Sequence, residues 1–584
     1  MQNRPLTPTL VLLAALALGW IALSYCTASP YYILLLTLVP IWALLGVSWN
    51  LFSGYSGLIS FGHGAFFGLG AYAVMIGLTR FNLSPWFGLP LAGVLGALAG
   101  AAIGWPTFRL RGNYFALAML AYPLMMAYFT GWAGYQELSV PLHREAPVWF
   151  MQFTDTHAYV LIAVVLLLSG VLISLAVERS RFGMSLMAMK QNELAAEAAG
   201  IDTRLWKLRA MMISGAIAAI AGGLYAVVVL VVTPSSVFGL VVSAQAMILV
   251  MFGGAGTIWG PLIGAAVLVP LGETLQANLG AILPGIQGVL YGVAVIAVVL
   301  IAPEGIYWKL RDQRRTAHIE RPAPPPSAAV ETIAATAQGE MLLEIDGLGK
   351  FFGGVAAVQG LTFSVREHEV LGIIGPNGAG KTTLFNLLCG VVTPSTGSIR
   401  YAGQSIGGLA PNRIARLRIG RTFQVVRAFP RMSVLENVVV GAYAHHATDA
   451  DAWNAAARAV EQVGLTPYAS AAAGSLTNRE LRLMELARAL AGNPRLLLLD
   501  EPLAGLSASD TDELIAVVRR LPSQGITVAI IEHTMQAMVG LVDRFVVLDQ
   551  GQLLADGLPA DVMRQRAVIE AYLGRNWEAK DAAA

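Results

Sequence analysis

Gly375-Pro-Asn377-Gly378-Ala-Gly380-Lys381-Thr382-Thr383 follows the apolar run Val370–Ile374 and precedes the stretch Thr383–Cys389, whose composition suits a helix. The spacing is G-x-x-x-x-G-K-[ST] in a strand–turn–helix setting. Glycines let successive backbone N–H groups wrap phosphate oxygens at a helix N-terminus, where the helix dipole also favours an anion. Lys381 would neutralise the β- and γ-phosphates, and the Thr382 hydroxyl would ligate Mg²⁺. The competing reading is a chance glycine-rich turn, which the flanking strand and helix disfavour. Downstream, the buried-strand pattern Leu496–Leu499 ends in Asp500-Glu501. Asp500 suits Mg²⁺, directly or through water, and Glu501 suits the orientation or deprotonation of an attacking water. A carboxylate pair at a strand end can be merely solvated; a phosphate loop upstream favours catalysis. ATP and Mg²⁺ are therefore the expected ligands.

The rest of the chain is composed differently. Of 584 residues, 56% are hydrophobic and 13% charged, and the first 177 hold only eight charged side chains. After Met341, apolar and charged residues alternate as in a soluble domain. Apolar runs long enough to cross a bilayer occur near 8–25, 31–50, 58–78, 88–105, 113–131, 158–177, 208–232 and 286–302. Two shorter runs, 241–252 and 256–272, flank Gly253-Gly254-Ala255-Gly256. Counted as two, they bring the expectation to about ten spans. Arg4 and the run Leu10–Leu23 could form a secretory signal, but further spans follow at once and favour a first anchor. Formal net charge is +2, which points to no nucleic acid partner, and Cys26 and Cys389 fall in different parts, so no disulfide framework is expected.

Orientation follows from basic residues. Starting inside at Arg4, the inner segments carry Arg109 and Arg111; Arg179, Arg181, Lys190, Arg204 and Lys207; and Lys309, Arg311, Arg314 and Arg315. The outer loops carry only Arg144, with Arg80 a further exception. This places the C-terminal part in the cytoplasm. The organisation expected is a polytopic α-helical membrane domain over 1–310, a Pro/Ala-rich linker over 311–340 that includes Pro322-Ala-Pro-Pro-Pro-Ser-Ala-Ala, and an α/β phosphate-loop domain over 341–584.

The C-terminal part resembles the ABC ATPases over about 341–575. The resemblance implies that Gln424, in Arg421-Thr-Phe-Gln424, senses Mg²⁺ and the membrane domain, and that His533 contacts the γ-phosphate. It places the D-loop in Ala504–Ser507 and makes Phe352, or Phe351, the adenine-stacking aromatic, against a plain core role. The signature position departs from the family's L-S-G-G-Q: here it is Leu476-Thr477-Asn478-Arg479-Glu480 before the helix-like Leu481–Leu490. Thr477 keeps a hydroxyl, Arg479 adds bulk, and Glu480 adds negative charge beside an anion. Since two such ATPases are expected to sandwich ATP, the altered signature points to an asymmetric pairing. Alternatively, Arg479 supplies the lost phosphate contact or points away.

The N-terminal part resembles the membrane subunit of the branched-chain amino acid (Leu/Ile/Val) branch of ABC importers, in Trp49–Tyr72, in Gly253–Pro261 and in Arg181–Gly200. The last resembles the cytoplasmic coupling loop, with Glu193, Glu197 and Gly200; an amphipathic helix with Leu186, Met189 and Leu194 as its apolar face is expected there, against a solvated loop. The ATPase part resembles that system's partner ATPase, in Phe352-Gly-Gly and Ile569-Glu-Ala-Tyr-Leu-Gly574. His63 reads as a hydrogen-bonded interior histidine ahead of a substrate ligand. The spans hold almost no fixed charge, with Glu273 near an end, which suits a neutral or zwitterionic substrate. The resemblance implies ATP-driven import across the bacterial inner membrane, with a second permease, a second ATPase and a periplasmic solute-binding protein as partners. Urea or short amides are alternative cargo. A homodimeric exporter and a nucleotide-gated membrane protein without turnover are the rival classes; about ten spans with short loops argue against the first, and Asp500, Glu501 and His533 against the second.

Overall fold

The computed structural model describes residues 6–110, 112–143, 145–283, 285–302, 304–315, 339–533 and 535–573. Arg4, Arg111, Arg144, Gly574 and most of the expected linker lie outside them. Contacts divide the chain into two compact units: Met1–Lys190 with Thr203–Glu320, and Gln191–Asp202 with Arg321–Ala584.

In the first unit, nine helices among the described residues are long and apolar enough to cross a membrane, and the 16-residue helix Ile286–Ile301 is a shorter tenth. The unit is a multi-pass membrane domain. Its helices approach closely where side chains are small. A Cβ on Gly96, in Pro85–Thr107, would fall 2.3 Å from the carbonyl oxygen of Gly215, in Thr203–Val229, so only glycine fits that crossing. Pro40 lies inside Pro30–Trp49 and cannot donate to the carbonyl one turn back. That carbonyl, Leu36 O, accepts instead from Trp20 Nε1 of the first helix at 3.0 Å.

The span expected at 58–78 begins later, at His63. Pro30–Trp49 runs into a π-helical turn, Asn50–Gly54, and irregular backbone fills most of the gap to His63. Irregular backbone is tolerated in a membrane domain when its polar groups are satisfied inside the protein, and here the side chains around it supply such bonds. Trp49 Nε1 donates to Ser60 O at 2.8 Å, and the buried His63 bonds Ser60 Oγ at 3.0 Å and Ser214 Oγ at 2.8 Å. His63 is thus the hydrogen-bonded interior histidine expected. Similarly, 256–258 belongs to a turn, and the following helix starts at Trp259. Asn50 joins the two irregular segments, donating from Nδ2 to Thr257 O (2.9 Å) and accepting at Oδ1 from Gly256 N (2.7 Å). Lys190 Nζ donates to Gly54 O at 2.8 Å.

The second unit holds a six-stranded sheet in the spatial order Gln552–Gly557, Arg544–Asp549, Val370–Ile374, Thr527–Ile531, Leu496–Asp500, Ile419–Arg421. All neighbours are parallel except the edge strand Gln552–Gly557. Val370–Ile374, Thr527–Ile531 and Leu496–Asp500 are buried throughout, so they read as unbroken apolar runs rather than alternating ones. The unit also holds an antiparallel sheet containing Met341–Phe352, Val355–Arg366 and Thr396–Tyr401, and helices that include Lys381–Leu388, Asn478–Leu490 and Ala508–Arg520.

Candidate functional site

Three adjacent parallel strands end together, and in open α/β sheets ligands gather at that edge. Ile531 pairs with Asp500, and Val528–Ile531 pair with Val370–Ile373. This register brings the glycine loop after Ile374, Glu501 after Asp500, and Glu532-His533 after Ile531 to one edge.

The glycine loop is shaped by its neighbours. Gly375 and Gly380 have φ of +156° and +97°, and a Cβ at either would press on the carbonyl oxygens of Leu548 (2.1 Å) or Ala357 (2.4 Å). Gly378 (φ +83°) faces open space. Lys381 opens the helix Lys381–Leu388, is buried, and donates from Nζ to Gly375 O at 2.7 Å and Pro376 O at 3.0 Å. Burial lowers its ammonium pKa, and the negative charges of Glu501 and Asp500 oppose that shift. Asn377 and Thr382 are exposed and Thr383 half-buried.

Glu501, His533 and Gln424 are brought together. Glu501 Oε1 lies 2.6 Å from His533 Nε2, and Oε2 accepts from Gln424 Nε2 at 3.1 Å. Glu501 takes a left-handed φ of +49°, a conformation uncommon outside glycine. Its backbone N–H donates to Ile531 O at 2.9 Å, which ties the residue to the end of the neighbouring strand.

Asp500 is 1% exposed. Its Oδ2 accepts from Arg421 Nη2 at 3.3 Å, while Oδ1 is buried and has no hydrogen-bond partner. Burial raises the Asp500 pKa, and the Arg421 guanidinium pulls it back. An acceptor-only oxygen buried without a donor fits a hard divalent cation, so Asp500 suits Mg²⁺. Phe351 and Phe352 are 46% and 49% exposed, so neither is a core residue, and Lys350 Nζ lies 5.1 Å from the Phe352 ring centre.

The altered signature forms a helix start. Thr477 is the N-cap of Asn478–Leu490 in a reciprocal capping box: its N–H donates to Glu480 Oε2 at 2.7 Å, and Glu480 N–H donates to Thr477 Oγ1 at 3.4 Å. Glu480 is buried in this role. Arg479 turns to the helix Ala508–Arg520, donating from Nε to Glu513 Oε2 at 2.8 Å and lying 3.5 Å from Asp510 Oδ1. Asn478 Nδ2 donates to Gly505 O at 3.2 Å, joining the signature to the Ala504–Ser507 loop.

The expected amphipathic helix over 181–200 is two helices, Arg181–Gln191 and Glu193–Ala198, divided at Asn192, whose side chain caps the second by accepting from Ala195 N at 3.0 Å. Leu186 and Met189 are buried, but Ala195 and Ala196, rather than Leu194, are the buried positions of the second helix. Within the second unit, Arg431 N donates to Gln191 Oε1 at 2.9 Å and Arg427 Nη1 to Asn192 Oδ1 at 3.4 Å. Glu193 is exposed, Glu197 half-buried, and Gly200 buried with φ +90°.

Sequence reasoning passed over a buried charged cluster. Glu485 accepts from Phe423 N (3.3 Å) and Arg427 N (3.1 Å) and pairs with Arg488 at 3.3 Å, while Arg482 Nη1 donates to Phe423 O at 3.1 Å. The signal was the three-residue spacing of 482, 485 and 488, which puts all three on one helix face.

Residues 31–302 match the family model described as branched-chain amino acid transport system / permease component. Residues 358–504 match the ABC transporter model, and 552–577 the branched-chain amino acid ATP-binding cassette transporter model. The chain is 42% identical over 249 residues to the high-affinity branched-chain amino acid transport ATP-binding protein BraF of Pseudomonas aeruginosa, covering 40% of this chain and 98% of that protein. It is 38% identical over 251 residues to the corresponding LivG of Escherichia coli K12, covering 40% and 98%. A solved nucleotide-free ATP-binding cassette from an ABC transporter is similar at 28% identity and a TM-score of 0.38, covering 40% of this chain and 100% of that one. The chain belongs to the branched-chain amino acid family of ABC transporters, with a permease component and an ATP-binding component in one polypeptide.

Proposed function

We propose that this chain is the permease-and-ATPase half of an importer that moves branched-chain or closely related amino acids across the bacterial inner membrane. The observation that carries the reading is the convergence of Glu501, His533 and Gln424 beside the glycine loop, in a chain whose other unit is a multi-pass permease. Glycine-loop N–H groups and Lys381 hold the phosphates of ATP, and Phe352 offers its exposed ring to adenine. Glu501 takes the proton of the attacking water; His533 and Gln424 fix its two oxygens so that the base is already oriented. Asp500 and Thr382 would hold Mg²⁺, which supplies charge neutralisation at the β- and γ-phosphate oxygens when bound.

The partners are a second permease, a second ABC ATPase and a periplasmic solute-binding protein. The Gln191–Asp202 segment, with Glu193, Glu197 and Gly200, is the coupling element. Arg479 points away to Glu513 and Glu480 is buried in the capping box, as in the alternative reading, so what supports a signature that offers little to a partner's phosphate is the replacement of its two glycines by Asn478 and Arg479. The pairing proposed is heteromeric, with the partner supplying an intact signature to this chain's glycine loop. The test is uptake of radiolabelled leucine, isoleucine and valine into proteoliposomes with ATP inside and the binding protein outside. Accumulation of these three supports the reading; accumulation of urea or short amides alone contradicts it.

A further inference from the structure

Arg421 is a buried guanidinium with three restraints, each on a different part of the nucleotide site. Nη1 donates to Asn386 Oδ1 at 2.8 Å, in the helix that follows the glycine loop. Nη2 donates to Asp500 Oδ2 at 3.3 Å. Its carbon lies 4.9 Å from the ring centre of Phe423, next to Gln424. The pairing register explains the reach. Arg421 pairs with Leu498 across parallel strands, and Asp500 stands two residues further on, on the same face as Leu498. Side-chain exposures in the ion pair are 4% and 1%.

This geometry divides the two oxygens of Asp500. Oδ2 is taken by Arg421; Oδ1 is left buried without a partner. A further bond, Asp500 N–H to Thr422 Oγ1 at 3.2 Å, steadies the same residue from the position next to Arg421. Without the guanidinium, the carboxylate could rotate about its last torsion and offer either oxygen. Groups that orient a metal-holding carboxylate through its second oxygen commonly change metal affinity by about 10–100-fold when removed.

We propose that Arg421 is a positioning residue for Mg²⁺: it fixes the Asp500 carboxylate so that Oδ1 alone is presented to the cation, and Asn386 locks the guanidinium to the glycine-loop helix. The inference rests on the Mg²⁺-dependent ATPase reading above. A lysine at 421 keeps the charge but cannot bond Asp500 and Asn386 through one planar fork, so it separates positioning from simple neutralisation.

The experiment uses the full-length chain in nanodiscs. Arg421→Lys should raise the Mg²⁺ concentration for half-maximal ATPase activity about tenfold. In a Glu501→Gln background, Mn²⁺ binding in the presence of ATP, followed by electron paramagnetic resonance, should weaken by a similar factor. Fluorescent-nucleotide binding in EDTA should be unchanged. Asn386→Ala, which spares the ion pair, should shift metal dependence in the same direction by less, and it carries the test should Arg421→Lys fail to fold. Metal dependence equal to wild type in both variants would overturn the proposal, as would an equal loss of metal-free nucleotide binding, which marks a purely structural role. Wild-type hydrolysis that persists in EDTA would instead sink the Mg²⁺ reading itself.

Discussion

His533 Nε2 stands 2.6 Å from Glu501 Oε1, and Gln424 Nε2 holds the other oxygen of the same carboxylate at 3.1 Å. Glu501 is 8% exposed and held in left-handed backbone. A base so constrained is oriented before substrate arrives. Glu501→Gln keeps the shape and removes the basicity. ATPase activity should fall by about 10²–10⁴-fold while ATP binding is retained, measured by phosphate release and nucleotide titration. Hydrolysis near wild-type rate would show that another group activates the water.

His533→Ala removes the contact that fixes Oε1 and the imidazole that the γ-phosphate would meet. A loss on the order of a hundredfold in kcat is expected, with KM for ATP changed much less. A variant that altered KM alone would place His533 in ground-state binding.

Arg479 donates to Glu513 on a partly exposed surface, with side-chain exposures of 25% and 45%. Such pairs contribute about 0–1 kcal/mol, and glycine within the helix Asn478–Leu490 costs up to about 1 kcal/mol more, so Arg479→Gly should lower the melting temperature only modestly. Its effect should appear in ATP turnover of the chain without its partner ATPase, which should rise as the bulk at the signature is removed. No rise in turnover would remove the argument for asymmetry.

Trp20→Phe tests the proline contact in the membrane unit. It leaves Leu36 O without the donor that Pro40 cannot supply. Leaving a buried acceptor unsatisfied costs about 1–3 kcal/mol; this carbonyl is half-buried, so a loss towards the lower end of that range should appear as a lower unfolding midpoint in detergent. An unchanged midpoint would mean that the carbonyl finds another donor.

Gly200 has φ +90°, and a Cβ there would come 2.5 Å from Ala444 Cβ. Gly200→Val should therefore displace Glu193–Ala198 from its packing within the second unit. Uptake should fall further than ATP hydrolysis, assayed in the same proteoliposomes. An equal fall in both would indicate general damage rather than uncoupling.

Contiguous motifs were legible in the sequence. The glycine loop and Asp500-Glu501 each sit at or directly after the end of an apolar strand, so their chemistry and setting could be read together. Gln424, His533 and the altered signature came from resemblance. Thr477-x-x-Glu480 also spells a capping box, which accounts for Glu480 as a helix-start residue rather than a misplaced charge. Arg421 was out of reach because its meeting with Asp500 depends on the parallel register between Ile419–Arg421 and Leu496–Asp500. Likewise, the turn before Trp259 depends on Asn50, a side chain more than 200 residues away that bonds Thr257 O and Gly256 N. Hydropathy reports how apolar a segment is; it carries no record of which distant side chain completes its backbone bonds.

The most direct test measures leucine accumulation and phosphate release together in proteoliposomes containing the full assembly, with wild-type chain or Glu501→Gln. The account predicts ATP-dependent accumulation by wild type and, when the partner ATPase carries the equivalent change, loss of both signals. Accumulation that continues without hydrolysis, or hydrolysis that never moves leucine, would contradict it.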